Sequence, residues 1–241
     1  MAEDSFVING ILIPQVLVVE KDFLIVYKPP RIHSAPLAST GANILSFCAE
    51  HFPEIMDMPG RKAGEGGLLH RLDYETQGLM LIARTLPGME ALLAQQKEGR
   101  IIKEYSALTS DSKAILPGFP LIKPELPLIL SAFRPYGPGR KAVRPLGPCT
   151  DKIQYITEIF EKRQLSPKIN SFIIKIFRGF RHQIRCHLAW LGEPIINDSL
   201  YGGAPHGKGF LGLRACSLLF NDPSSGRERF YSIPPVKPDE I

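Results

Sequence analysis

The chain has 241 residues, 44% of them hydrophobic and 22% charged, which is ordinary for a soluble globular protein and enough to bury a sizeable core in one large domain or two small ones. No apolar run reaches the roughly 18–20 residues of a membrane helix, and the acidic start MAEDSFVING lacks the pattern of a secretory leader. The formal charge of +5 is uneven: residues 1–60 hold three Lys or Arg against seven Asp or Glu, and residues 111–241 hold nineteen against eleven, so the second half suits a polyanionic partner.

In chain order, Val16 to Glu20 and Phe23 to Tyr27 are β-branched and apolar and read as strands, the second stopped by Lys28-Pro29-Pro30. Asn43 to Phe52 spaces Ile44, Leu45, Phe47, Cys48 and Phe52 as one helix face, and Arg61 to Gly67 reads as a flexible polar loop. Gly78 to Ala83 is a continuous apolar run, the pattern of a strand buried on both faces. Pro87 to Lys97 is a helix ended by Gly99, and Ile101 to Thr109 is a strand. Residues 110–150 are rich in Pro and Gly and read as loops and hairpins. Ile153 to Phe160 and Ser171 to Phe177 alternate as strands, His182 to Leu191 is a helix ended by Gly192, and Leu211 to Asn221 and Arg229 to Ile233 are closing strands. Strands outnumber helices without regular alternation. The expected fold is therefore α+β, with a large, mostly antiparallel mixed sheet and flanking helices, and with no domain boundary across 110–150.

No P-loop, dinucleotide fingerprint or G-x-S-x-G elbow occurs. Cys48, Cys149, Cys186 and Cys216 are too scattered for a disulfide framework or a zinc knuckle, so free thiols and a cytoplasmic location are expected. His182 and Cys186 share a helix face, with His187 beside them, but Arg181 and Arg185 stand among them and disfavour a cation; no metal is expected.

The densest chemistry lies in LLHRLDYETQGLMLIAR, residues 68–84, where His70, Arg71, Asp73 and Glu75 precede the buried strand. A carboxylate at the rim of an apolar wall needs a nearby cation to stay charged, and Arg178, Arg181 and Arg185 in FRGFRHQIRCH offer planar forks for that carboxylate or for phosphates. Spacing alone leaves a structural ion pair and a catalytic one both open. Tyr105 shares a strand face with Lys103 and Ala107, and is either a core residue or a platform on which a base stacks.

Five segments in order resemble the RluA-type RNA pseudouridine synthases: VYKPPRIHSAP, HRLDYETQGLMLIAR, KEYSAL, RGFRHQIRCHLAWLGEPIINDSLYGG and LGLRACSLLFNDP, together spanning about residues 16–235. The resemblance implies the family's mixed-sheet fold with a central RNA-binding cleft. It implies an isomerase without metal or cofactor that turns uridine in structured RNA (rRNA or tRNA) into pseudouridine after base flipping. By motif it assigns Asp73 as the catalytic carboxylate, Tyr105 as the residue against the base and Arg185 as the partner of the aspartate. Arg71 would fill the stack left by the flipped base, and His70, Arg181 and His182 complete the expected RNA contacts. Three positions depart from the family pattern: Gln77 stands for the usual serine, Asn197 for a glycine and Arg214 for a histidine. A single catalytic domain over 1–241 is expected, without a separate N-terminal RNA-binding domain, a membrane association or an obligate protein partner. The competing expectation is a catalytically idle RNA-binding protein.

Overall fold

The computed structural model describes residues 3–5, 12–36, 41–60, 62–112, 114–147 and 153–241. Its strands and helices are β1 (Glu3–Ser5), β2 (Gln15–Val19), β3 (Phe23–Lys28), α1 (Ile44–Ala49), β4 (Gln77–Ala83), α2 (Leu86–Lys97), β5 (Ile102–Thr109), β6 (Leu128–Tyr136), β7 (Ala142–Leu146), β8 (Tyr155–Ser166), β9 (Ile169–Ile176), α3 (Gln183–Leu191), β10 (Leu213–Asn221) and β11 (Glu228–Ser232). The fold is α+β, as expected. The chain divides into two compact units, Met1–Lys103 with Arg214–Pro234, and Glu104–Leu213 with Pro235–Ile241.

The first unit is built on the strand order β2-β3-β4-β10, with β11 pairing with β10 and β1 with β11. Its pairs β2–β3, β3–β4 and β10–β11 are antiparallel, whereas β4–β10 and β1–β11 are parallel, so the sheet is mixed. The apolar run 78–83 forms β4, which is buried along its whole length because both faces are covered. One face of the sheet packs Phe23, Ile25, Leu79, Leu81, Leu218 and Phe220 against Met89 and Leu92 of α2. The Thr85 hydroxyl caps α2 by accepting from Gly88 N–H at 3.2 Å, and Asn43 caps α1 by accepting from Ser46 N–H at 2.9 Å.

The second unit orders its strands β5-β9-β8-β6-β7. β9 alternates strictly between buried and half-exposed residues, the signature of a one-sided sheet. α3 lies against β6 and β8: Gln183 donates to Ile156 O at 2.8 Å, and His187 shares hydrogen bonds with Ser131 and Thr157. Gly192 ends α3 in the left-handed conformation at φ +90°.

Two expectations shift. β8 runs to Ser166, six residues beyond Phe160, because pairing with β9 holds the mostly polar stretch 161–166 extended where no apolar alternation announces it. The glycine-rich segment before Leu68 is also not a free loop in its second half. Glu65, Gly66 and Gly67 are buried, Gly67 N–H donates to Ile55 O at 2.7 Å and Gly67 O accepts from Ala83 N–H at 2.8 Å. A Cβ on Gly67 would stand 2.0 Å from Ala83 O, so glycine serves close backbone contact there rather than mobility. Arg61 and Cys149 lie outside the described residues; Cys48, Cys186 and Cys216 are buried free thiols. Among the described residues, no helix is long and apolar enough to cross a membrane.

Candidate active site

Asp73 sits on a tight turn immediately before β4, closed by Thr76 N–H donating to Asp73 O at 3.1 Å. The turn is clamped by the segment that follows β3. Lys28 Nζ donates to Pro29 O at 2.9 Å and to Tyr74 O at 3.1 Å. Arg31 N–H donates to the same Tyr74 O at 2.8 Å. The Ser34 hydroxyl donates to Leu72 O at 2.9 Å and accepts from Leu72 N–H at 3.0 Å, and the His33 ring packs on Tyr74 with centroids 4.6 Å apart. The segment from Lys28 to Ser34 thus does more than stop a strand: it fixes the backbone on both sides of a half-buried aspartate.

Lys28 is fully buried. Burial pulls its pKa down from 10.5 to about 7, against the upward pull of the Asp73 and Glu75 carboxylates. Its placement was not read from the sequence, although it lies inside the matching segment VYKPPRIHSAP.

Two more expected site residues flank the turn in the first unit. His70 is buried, and its Nε2 accepts from Leu81 N–H at 3.1 Å, which straps the chain before the turn onto β4. Arg71 is half exposed and reaches back to Glu65 at 3.1 Å.

Tyr105, Arg181, His182 and Arg185 belong to the second unit. Tyr105 is buried on β5. Arg185, in the first turn of α3, sets its fork on the buried Asp198 carboxylate, Nε to Oδ2 at 2.7 Å and an Nη to Oδ1 at 2.8 Å. Its guanidinium also lies over the Tyr201 ring at 5.4 Å, while Arg144 approaches the same ring at 5.7 Å. Tyr201 Oη accepts from Val143 N–H at 3.0 Å and meets His182 Nδ1 at 3.1 Å; burial, above all, pushes its pKa up. Asp198 and Tyr201 therefore hold Arg185 and His182 in place. Both stand in PIINDSLYGG, but the sequence reading gave them no role. Arg181 donates to Arg140 O at 2.7 Å and to Ala142 O at 3.2 Å, joining the start of α3 to the β6–β7 hairpin.

The candidate metal trio is spread among separate partners. His187 has Thr157 Oγ1 at 2.7 Å from one ring nitrogen and Ser131 Oγ at 2.8 Å from the other, and Cys186 Sγ contacts Val143 O. Burial holds His187 neutral, with its pKa lowered from 6.5 to about 3. Among the described residues, no group of three His, Cys, Asp or Glu side chains is placed to hold a metal ion.

One of the departures has a local explanation. Asn197 has φ +64°, a conformation that glycine or asparagine adopts most readily, and its side chain bonds His206 O at 2.9 Å, Phe210 O at 2.7 Å and His206 N–H at 2.6 Å.

The profile of the family described as RNA pseudouridylate synthase matches residues 22–190, and the chain belongs to that family. Its enzymes are isomerases that convert uridine in RNA to pseudouridine. The ribosomal large subunit pseudouridine synthase D of Vibrio parahaemolyticus is 29% identical over 95% of this chain and 69% of its own length. The protein of the same name from Escherichia coli is 28% identical over 77% of this chain and 52% of its own. The chain thus spans between about half and about two thirds of these relatives. The solved structure of human RNA pseudouridylate synthase domain containing 1 has a TM-score of 0.63 at 20% identity, covering 92% of this chain and 84% of that one, and so shares the fold.

Proposed function

We propose that this chain isomerises uridine to pseudouridine within structured RNA, with Asp73 as the catalytic carboxylate. The observation that carries the reading is the clamped turn: a half-buried carboxylate whose flanking backbone is fixed by Lys28, Arg31 and Ser34. A reacting group held this way loses little freedom on meeting its substrate. A uridine stacked in a helix hides its glycosidic bond, so the nucleotide is first extruded at a cost of a few kcal/mol. Half-exposed Arg71 takes the space left in the stack, and basic side chains of the second unit, Arg181 and His182 among them, hold the backbone. His70 acts from behind, through the backbone of β4. The bond from N1 to C1′ then breaks, the uracil turns, C5 bonds C1′, C5 gives up its proton and N1 takes one up, so the product is an isomer of the substrate. Asp73 attacks C1′ or removes the C2′ proton; both routes need an ionised carboxylate. By the same motif match, Tyr105 packs against the base and Arg185 is the partner of the aspartate. The reaction needs neither cofactor nor obligate protein partner.

The names of the relatives make ribosomal large-subunit RNA the first substrate to test, with tRNA second, both in the cytoplasm. The test is carbodiimide mapping of pseudouridine in RNA incubated with the wild-type protein or with Asp73→Asn. The wild type is expected to introduce a new site, and Asp73→Asn to keep its fold and RNA affinity while modification falls to background. Undiminished modification by Asp73→Asn would remove Asp73 from the chemistry. RNA binding without modification by the wild type would make the chain an idle binder.

A further inference from the structure

The other two departures from the family pattern meet each other. Arg214 and Gln77 are register partners on the parallel strands β10 and β4, although 137 residues apart in the chain, and both are buried. An Arg214 Nη donates to Gln77 Oε1 at 3.0 Å, Tyr27 Oη donates to the same oxygen at 2.8 Å, and the other Arg214 Nη donates to Pro234 O at 3.1 Å. The amide oxygen of Gln77 thus gathers donors from the strands on both sides of β4. A serine hydroxyl, one atom beyond Cβ, would not reach both, and a histidine has no fork to offer, so the two replacements form one joint change.

The pair stands at the foot of the catalytic turn. The next residue, Gly78, has φ +128°, and a Cβ there would lie 2.2 Å from Ala215 O, so β4 and β10 are pressed together at this point. Gly78 is also the register partner of Lys28, whose Nζ holds Tyr74 O. Only three residues separate Gln77 from Asp73, and the Thr76-to-Asp73 hydrogen bond closes them into a rigid turn. A shift of Gln77 is therefore passed to Asp73.

We propose that Arg214 is a positioning residue for the catalytic carboxylate, acting through Gln77, and that the two side chains work as a coupled pair. The inference rests on the reading of Asp73 as the catalytic group. The test is a double-mutant cycle over Gln77→Ser and Arg214→His, measured where circular dichroism shows all four proteins fully folded. Each single substitution is expected to lower kcat on the order of 10- to 100-fold while KM stays within about 2-fold, because neither buried side chain touches RNA. The double variant is expected to return to within about 5-fold of wild-type kcat, a non-additive result. Hydrogen exchange at Thr76 and Gln77 amides should rise about 10-fold or more in each single variant and fall back in the double, a readout independent of activity. Additive losses in kcat, coupling confined to melting temperature, or unchanged exchange would each overturn the inference. A folded wild type whose exchange shows the coupling but which makes no pseudouridine overturns the functional reading instead, and with it the catalytic half of the inference.

Discussion

Replacing Lys28 by methionine isolates the energetics beneath the Asp73 turn. Lys28 has a folded-state pKa of about 7 and an ordinary value of 10.5, so between these pH values the unfolded chain carries a proton that the folded protein lacks. Stability from this group must then rise with pH across that window, by about 1.4 kcal/mol per pH unit and by roughly 5 kcal/mol over the whole of it, an upper bound because structural relaxation reduces the shift. Below pH 7 both states are protonated and the dependence vanishes. Lys28→Met has no such proton. Urea unfolding of both proteins at pH 6, 7, 8 and 9 should give a wild-type-minus-variant difference that is flat from 6 to 7 and climbs by about 1 kcal/mol for each unit above it. The variant also loses the two bonds from Nζ to Pro29 O and Tyr74 O, so its kcat should fall while its RNA affinity holds. Parallel stability curves from pH 7 to 9 would show that Lys28 titrates normally and that its burial does not act on the turn as described.

Two other outcomes follow from buried groups. Arg185→Met leaves the Asp198 carboxylate buried without its fork and should cost about 3–5 kcal/mol in chemical denaturation, whereas adding Asp198→Leu should recover most of that loss, since an apolar pair tolerates the site better than a lone charge. His187, held neutral down to about pH 3, should make the protein lose stability as pH falls from 6.5 towards 3, because the unfolded chain takes up a proton that the folded one refuses. His187→Gln should flatten this acid limb by about 1 kcal/mol per pH unit, and an unchanged limb in thermal melts from pH 6.5 to 4.5 would contradict the assignment.

The amino-acid pattern by itself determined the secondary elements whose signal is local. The unbroken apolar run 78–83 became a strand buried on both faces, α2 begins at the Thr85 cap, and α2 and α3 both stop at a glycine, because helix ends are made by neighbours in sequence. The order of five motifs carried the family, and Asp73 was legible as the carboxylate beside a buried strand. Tertiary structure decided who meets whom. Arg214 finds Gln77 across 137 residues, Arg185 sets its fork on Asp198, and Lys28 bonds a carbonyl 46 residues away. β8 stays extended through the mostly polar residues 161–166 only because β9 lies beside it. These pairings depend on the strand register and on which charges lose their water, and neither leaves a periodic trace in the chain. A sequence can therefore announce a carboxylate beside a buried strand, while the buried side chains that bond its turn appear only once the strands carrying them lie side by side.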